Sequence, residues 1–331
     1  MKFKLPFWTC RDLASPASLP MLALLLLAPA GASAQGALPE LRPVTASRIA
    51  LGTGDTIAVT ATGVGDPVVL VPGLLGSAFS FRHLAELLGD EGLRTIVVEP
   101  LGTGASAKPR KADYTLEAQA LRVAATLDSL GIGRADFVCH SVGASICMRL
   151  ALHAPERVRS IVSLNGGPDE RAATGGLKGA LRLAPFLKLF GGERIARNKV
   201  RNGLRASAAD PAWVTEEVVR GYTAPYRDLT AVLRALNAMS ESKEPVALGP
   251  RLAELETPVL LLIGTGGEQP GTSPEDLAAM TGSMPALTVD SIAGAGQYPQ
   301  EEQPEVVAAA VLEFLRSLPA LEVRSLPARA P

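Results

Sequence analysis

The sequence predicts an α/β fold: a mostly parallel eight-stranded sheet with helices on both faces and an inserted helical cap. Three observations predict it. Short apolar runs such as Val68-Val69-Leu70-Val71 lack the alternation of a half-exposed strand, so they read as strands buried on both faces. Segments of helical spacing separate these runs, as with Leu116, Ala120, Val123, Leu127 and Leu130. The alternation stops between about Pro168 and Pro250, where helices joined by Gly and Pro are expected without a buried strand, and then resumes.

The elements follow in order. Val44 to Ala50 and Thr56 to Ala61 flank Gly52-Thr53-Gly54-Asp55, a hairpin signal. Strand Val68 to Val71 is followed by a helix from Phe81 to Leu88, a strand from Thr95 to Val98 and the helix Leu116 to Leu130. Strand Asp136 to Cys139 leads into a helix through His153, and Val158 to Leu164 is a strand. After the insertion come a strand at Val259 to Ile263, a helix near Pro274 to Met280, a strand at Leu287 to Ile292 and a helix from Pro304 to Leu318.

Composition narrows the function. A chain of 331 residues can bury one large core, and its formal net charge of -1 lacks the basic excess of a nucleic-acid binder. Lys2, Lys4 and Arg11, the apolar run Leu19 to Ala28 and the small-residue site Ala32-Ser33-Ala34 have the layout of a secretory signal peptide. The expected organisation is a signal peptide over 1–34 and a lead-in over 35–43. A core of 44–168 and 251–318 encloses a helical cap over 169–250, and 319–331 is expected to be a disordered tail. Export would place the protein in the periplasm or outside the cell. Cys139 and Cys147 lie on a strand end and the following helix, where positions run apart, so no disulfide is expected between them. The three histidines, His83, His140 and His153, are scattered, and no Cys/His cluster calls for a metal or other cofactor.

Five motifs carry chemistry. Cys139-His140-Ser141-Val142-Gly143 joins a strand to a helix and has the small flanking residues that a nucleophile elbow needs. Val71-Pro72-Gly73-Leu74-Leu75-Gly76-Ser77 follows a buried strand and can aim backbone N–H groups at a developing oxyanion. Glu99-Pro100-Leu101-Gly102-Thr103-Gly104-Ala105-Ser106 reads as a structural brace beside the elbow. Gly264-Thr265-Gly266-Gly267-Glu268 follows a strand and offers a carboxylate. Ile292-Ala293-Gly294-Ala295-Gly296-Gln297-Tyr298-Pro299 closes the set.

Together these motifs resemble the α/β-hydrolase superfamily, in its capped esterase, epoxide-hydrolase and haloperoxidase-like branch. The resemblance spans about Val44 to Leu318. It implies Ser141 as nucleophile, the amides of Leu74 and Val142 as oxyanion hole, an acid after Ile263 and a histidine base at position 297. The chain departs from the pattern at Pro72, where many members have histidine, and at Cys139, which is small enough for the elbow; neither change disturbs the expected chemistry. It also departs at Gly267, where the acid is expected, and at Gln297. A glutamine amide cannot accept a proton near neutral pH, so it cannot act as a general base. Glu268 can orient a base if its loop is one residue longer, or it is a solvated loop carboxylate; both readings stay open.

Three functions remain in view. The first is a serine hydrolase of small esters or lactones with a non-standard or impaired base, such as water held by Gln297 and Glu268. The second is a binding or scaffold protein that has kept the pocket. The third is a lyase or isomerase without a covalent intermediate. The expected partner in each is a small apolar or ester molecule. The cap carries Lys178, Arg182, Lys188, Arg194, Arg197, Lys199, Arg201 and Arg205 among apolar residues. A solvated helix face is the preferred reading of this pattern, ahead of a membrane-surface lid.

Overall fold

The computed structural model describes residues 44–169, 192–266 and 272–320. The proposed signal peptide, much of the basic segment before Gly192, Gly267, Glu268 and the end of the C-terminal tail lie outside the described residues.

Eight strands form one sheet in the order β1-β2-β4-β3-β5-β6-β7-β8. They are β1 (Thr45–Ala50), β2 (Thr56–Thr62), β3 (Asp66–Val71), β4 (Leu93–Glu99), β5 (Ala135–His140), β6 (Val158–Leu164), β7 (Val259–Gly264) and β8 (Leu287–Ile292). The hairpin partners β1 and β2 are antiparallel, as is the β2–β4 pair, and every other pairing is parallel.

The apolar runs sort themselves by the two-residue period of a strand. Val69 and Val71 face one core with Phe137, Cys139 and Leu261, whereas Val68 and Leu70 face the other with Val138, Val162 and Leu262. Helices α2 (Leu116–Ser129) and α3 (Val142–His153) cover the first face. Helix α1 (Arg82–Asp90) and the C-terminal helix cover the second. Each fully buried Leu or Val contributes about 1.5–3 kcal/mol of hydrophobic stabilisation, so the central strands, buried on both faces, stabilise the fold far more than the exposed edge strands β1 and β8. The N-cap of α2 is Thr115, whose hydroxyl accepts from the Ala118 N–H at 3.2 Å. Glu244 reaches across to accept from the N–H groups of Leu116 and Glu117, a carboxylate at the positive end of that helix.

Between β6 and β7 the described residues form α4 (Gly192–Ser207), α5 (Glu216–Thr223) and α6 (Leu229–Glu241), with no strand among them. Thr215 and Asp228 cap α5 and α6 through their side chains. Val200, Leu204, Val214, Val218, Val219 and Tyr222 give these helices a small core of their own. After β7 come α7 (Pro274–Ser283), α8 (Pro299–Glu302) and α9 (Pro304–Ser317). The one-turn α8 is a departure from the sequence reading, which began the last helix at Pro304. Pro299 opens this extra turn, and Gln303 leaves helical geometry before Pro304 starts the next helix.

The expected absence of a disulfide is overturned. Cys139 and Cys147 are bonded, with their Cα atoms 7.0 Å apart. Distance along α3 is a poor guide here because this helix folds back against β5, the strand it leaves. Both cysteines are buried in the same core, which brings them together.

Candidate active site

The strand order sets the position of the site. After β3 the chain moves to one side to build β4, then to the other side to build β5, so the ends of β3 and β5 meet at a topological switch point. Val71 pairs with Cys139 there, which brings the Pro72-Gly73-Leu74 loop beside Ser141.

Ser141 has φ 51° and ψ -128°, a left-handed conformation that is costly for a residue with a side chain. Packing enforces it. A Cβ at Gly73 would lie 3.2 Å from the Ser141 Cβ, and one at Gly143 would overlap the Val71 carbonyl oxygen. A Cβ at Gly166 would overlap the Ser141 carbonyl oxygen and the Ala144 side chain. Three backbone segments thus press on one residue, and only glycine lets them come so near.

Leu74 and Val142 line one small void of about 10 Å³ with Gly73 and Met239, so the two residues predicted for an oxyanion hole do come together. Neither backbone N–H has a hydrogen-bond partner among the described residues. Beside them, buried Glu99 accepts from the N–H groups of Ala78 (2.8 Å) and Ala105, and the Ser106 hydroxyl donates to its carbonyl oxygen at 2.6 Å. Burial raises the Glu99 carboxyl above its usual range. Glu99 therefore braces the loop, as the sequence suggested.

Gln297 is half-buried in the loop after β8. Its N–H donates to the Ser207 carbonyl oxygen at 2.8 Å, and its own carbonyl oxygen accepts from His140 Nε2 at 2.9 Å. Its side-chain amide bonds to no described residue, and none bonds to the Ser141 hydroxyl. Neighbouring backbone is held as firmly. Glu302 accepts from Gly296 N–H (2.8 Å) and Ala209 N–H (2.6 Å). Asn165, also left-handed at φ 50°, accepts from Gly264 N–H at 2.9 Å and donates to the Gly296 carbonyl oxygen at 2.8 Å. One buried amide therefore joins the loop after β7 to the loop after β8. The sequence reading missed Asn165 and Glu302.

His140 is buried under the Gln297 loop, its ring 5.2 Å from that of Tyr298. Burial lowers its pKa to about 4, against the hydrogen bond to Gln297, so it is neutral at neutral pH. With Nε2–H donating, Nδ1 is the unprotonated nitrogen; it lies 3.1 Å from where a Gly73 Cβ would be. His83 is exposed on α1 near Glu86 and Glu305. His153 lies 3.8 Å from Glu117 at the far end of α3.

Above the loops is a cavity of about 600 Å³ under the cap. Its wall is apolar, with Leu75, Val200, Leu204, Val232, Leu236 and Tyr298 among the lining residues. Leu75 belongs to the proposed oxyanion loop and Tyr298 follows Gln297, so the cavity abuts both loops. Tyr298 also packs against Trp213 and Tyr222, and burial pushes its phenol up to about 12. No group of residues able to hold a metal occurs among the described residues.

Comparison with known proteins agrees with this geometry. The family model described as "Alpha/beta hydrolase family" matches residues 68–310. The uncharacterized hydrolase YugF of Bacillus subtilis is 27% identical over 251 residues, which cover 75% of this chain and 89% of that protein. The 2-hydroxy-6-oxononadienedioate/2-hydroxy-6-oxononatrienedioate hydrolase of Burkholderia vietnamiensis is 29% identical over 277 residues, 80% of this chain and 88% of that protein. Among solved structures, wild-type Cfl2 from Burkholderia cenocepacia superposes with a TM-score of 0.67 at 26% identity, covering 83% of this chain and 97% of its own. With the strand order, the strained serine and the family match in agreement, the chain belongs to the alpha/beta hydrolase family.

Proposed function

We propose that this chain is an exported serine hydrolase of small ester or lactone substrates with an apolar body, working through Ser141 with an impaired base. The observation that carries the reading is the left-handed Ser141, crowded by Gly73, Gly143 and Gly166, together with Leu74 and Val142, whose N–H groups have no partner among the described residues. Storing such strain at a residue with no chemical role would be a pure cost. Ser141 attacks the carbonyl carbon, and the N–H groups of Leu74 and Val142 receive the oxyanion. Gln297 stands where the resemblance puts the proton acceptor and can position a water, with Glu268 proposed as the supporting carboxylate. The Ser141 proton passes to that water and returns to the departing alkoxide, and a further water hydrolyses the acyl-serine; because water is a weak base turnover is slow, with a residual acceleration on the order of a thousandfold over water from the oxyanion hole and binding.

The apolar cavity beside the loops supports a substrate whose non-reacting part is hydrophobic. The Cys139–Cys147 bond supports an oxidising compartment, and with the leader-like first 34 residues it favours export. In this reading 44–168 and 251–318 are the catalytic core and 169–250 is its cap.

A second reading has its own observation. With no described base against the Ser141 hydroxyl, the same pocket suits a non-catalytic binding protein. Labelling with a fluorophosphonate separates the two. Labelling of wild type that disappears in Ser141→Ala supports the hydrolase, whereas a wild-type protein that stays unlabelled under prolonged exposure supports the binding protein.

A further inference from the structure

A second cavity, of about 210 Å³, adjoins the large one and shares Ala196, Tyr226 and Leu229 with it. Its character is different. Arg197, Arg220 and Arg227 line it, against a single acid, Glu193. Arg197 lies 3.5 Å from Glu193 on the next turn of α4, a half-exposed and therefore weak pair. Arg220 and Arg227 pair with no acid among the described residues. Lys199, the charged residue in the described lining of the large cavity, is likewise without an ion pair there. This basic corner stands out on a chain whose formal net charge is -1.

We propose that the cap binds an anionic amphiphile, its apolar body in the large cavity and its negative head between Arg197, Arg220 and Arg227. Guanidinium groups present planar paired donors that match a carboxylate or phosphate, and two of the three have no internal partner to give up. The apolar chamber gains by removing a hydrocarbon chain from water. Tyr226 and Leu229, lining both spaces, set the head and body in adjoining chambers of one site. The proposal narrows the substrate class of the hydrolase reading and rests on that reading only for what happens to the molecule after it binds.

The test uses the full chain carrying Ser141→Ala, so that binding is measured whether or not wild type hydrolyses anything. Dodecanoate, dodecyl phosphate and dodecanol are titrated calorimetrically below their aggregation limits at low and high salt. The expected result is that both anions bind on the order of tenfold more tightly than the alcohol at low salt, with the gap shrinking as salt rises. In Arg220→Gln/Arg227→Gln the gap closes while dodecanol affinity is kept, which also shows that the variant is folded. If that variant loses dodecanol binding, Arg220→Lys/Arg227→Lys replaces it, and must keep an anion preference reduced from wild type. Equal binding of the three probes, or a preference that the arginine changes leave intact, overturns the proposal. So does sedimentation with phosphatidylglycerol vesicles but not phosphatidylcholine vesicles in the absence of dodecanoate or dodecyl phosphate binding, since a flat charged surface would then be the ligand. Fluorophosphonate labelling of wild type fails or succeeds independently of all these outcomes.

Discussion

The elbow at Ser141 and the loop at Gln297 are both held firmly, but by different means. At the elbow, backbone and side chain agree: glycines crowd the turn, the serine is strained, and two N–H groups stand free. At the loop the backbone scaffold is complete, and the side chain it presents is an amide. Asn165, His140, Ser207 and Glu302 hold the backbone from Gly296 to Gln297, and none of those bonds touches the Gln297 side chain. A loop held by its backbone keeps its shape whatever side chain it presents. Scaffold and side-chain chemistry can therefore vary separately, and the proposed impaired base is a change in the second alone.

That contrast can be broken at several points. The largest effect is expected at the elbow backbone. Gly143→Val drives a side chain into the Val71 carbonyl oxygen and should cost more than about 4 kcal/mol, read by denaturant unfolding. A cost under about 1 kcal/mol would mean that the turn is far looser than its geometry. Next comes Gln297→His. Because the loop is held by its backbone, stability should change by less than about 1 kcal/mol, while hydrolysis of short-chain esters should rise on the order of a hundredfold or more. A large stability change would show that the scaffold does depend on the side chain. No gain in rate, with stability kept, would mean that the loop after β7 supplies no working acid.

The smallest effect concerns His140. Its folded pKa of about 4 lies below the unfolded value near 6.5, so between these values the unfolded chain binds more protons. The stability that neutral His140 contributes is present above pH 6.5 and is lost as pH falls toward 4, by at most about 3 kcal/mol. Glu99 and Glu301, whose carboxyls are raised by burial, act in the opposite direction, losing stability as pH rises through the carboxylate range. The measurement is therefore the difference between wild type and His140→Asn across that window. Parallel curves would show that the imidazole does not sit neutral beneath the loop.

Much of this was legible in the sequence. Val68 to Val71 and Val259 to Ile263 stand out because a strand buried on both faces leaves no polar residue to blur its boundaries. The elbow is legible because a turn this sharp restricts its neighbours to small residues. What could not be read depends on distant partners. Asn165 bonds Gly264 and Gly296, which are 99 and 131 positions away, and nothing local marks it. His140 turns under a loop 157 positions further on. The disulfide was missed because spacing along a helix says nothing of the strand that the helix folds back upon. The arginine pocket draws on α4, α5 and the turn before α6, whose relative placement no periodicity gives.

The ring ladder over the Gln297 loop has a practical consequence. Trp213 packs 5.8 Å from Tyr298 and 6.5 Å from Tyr222, both of which line the large cavity. The other tryptophan, Trp8, is in the leader-like segment. With Trp8 replaced by Phe, a single indole stands one ring away from whatever fills the chamber, and its emission becomes a built-in optical gauge of occupancy that needs no dye and no turnover.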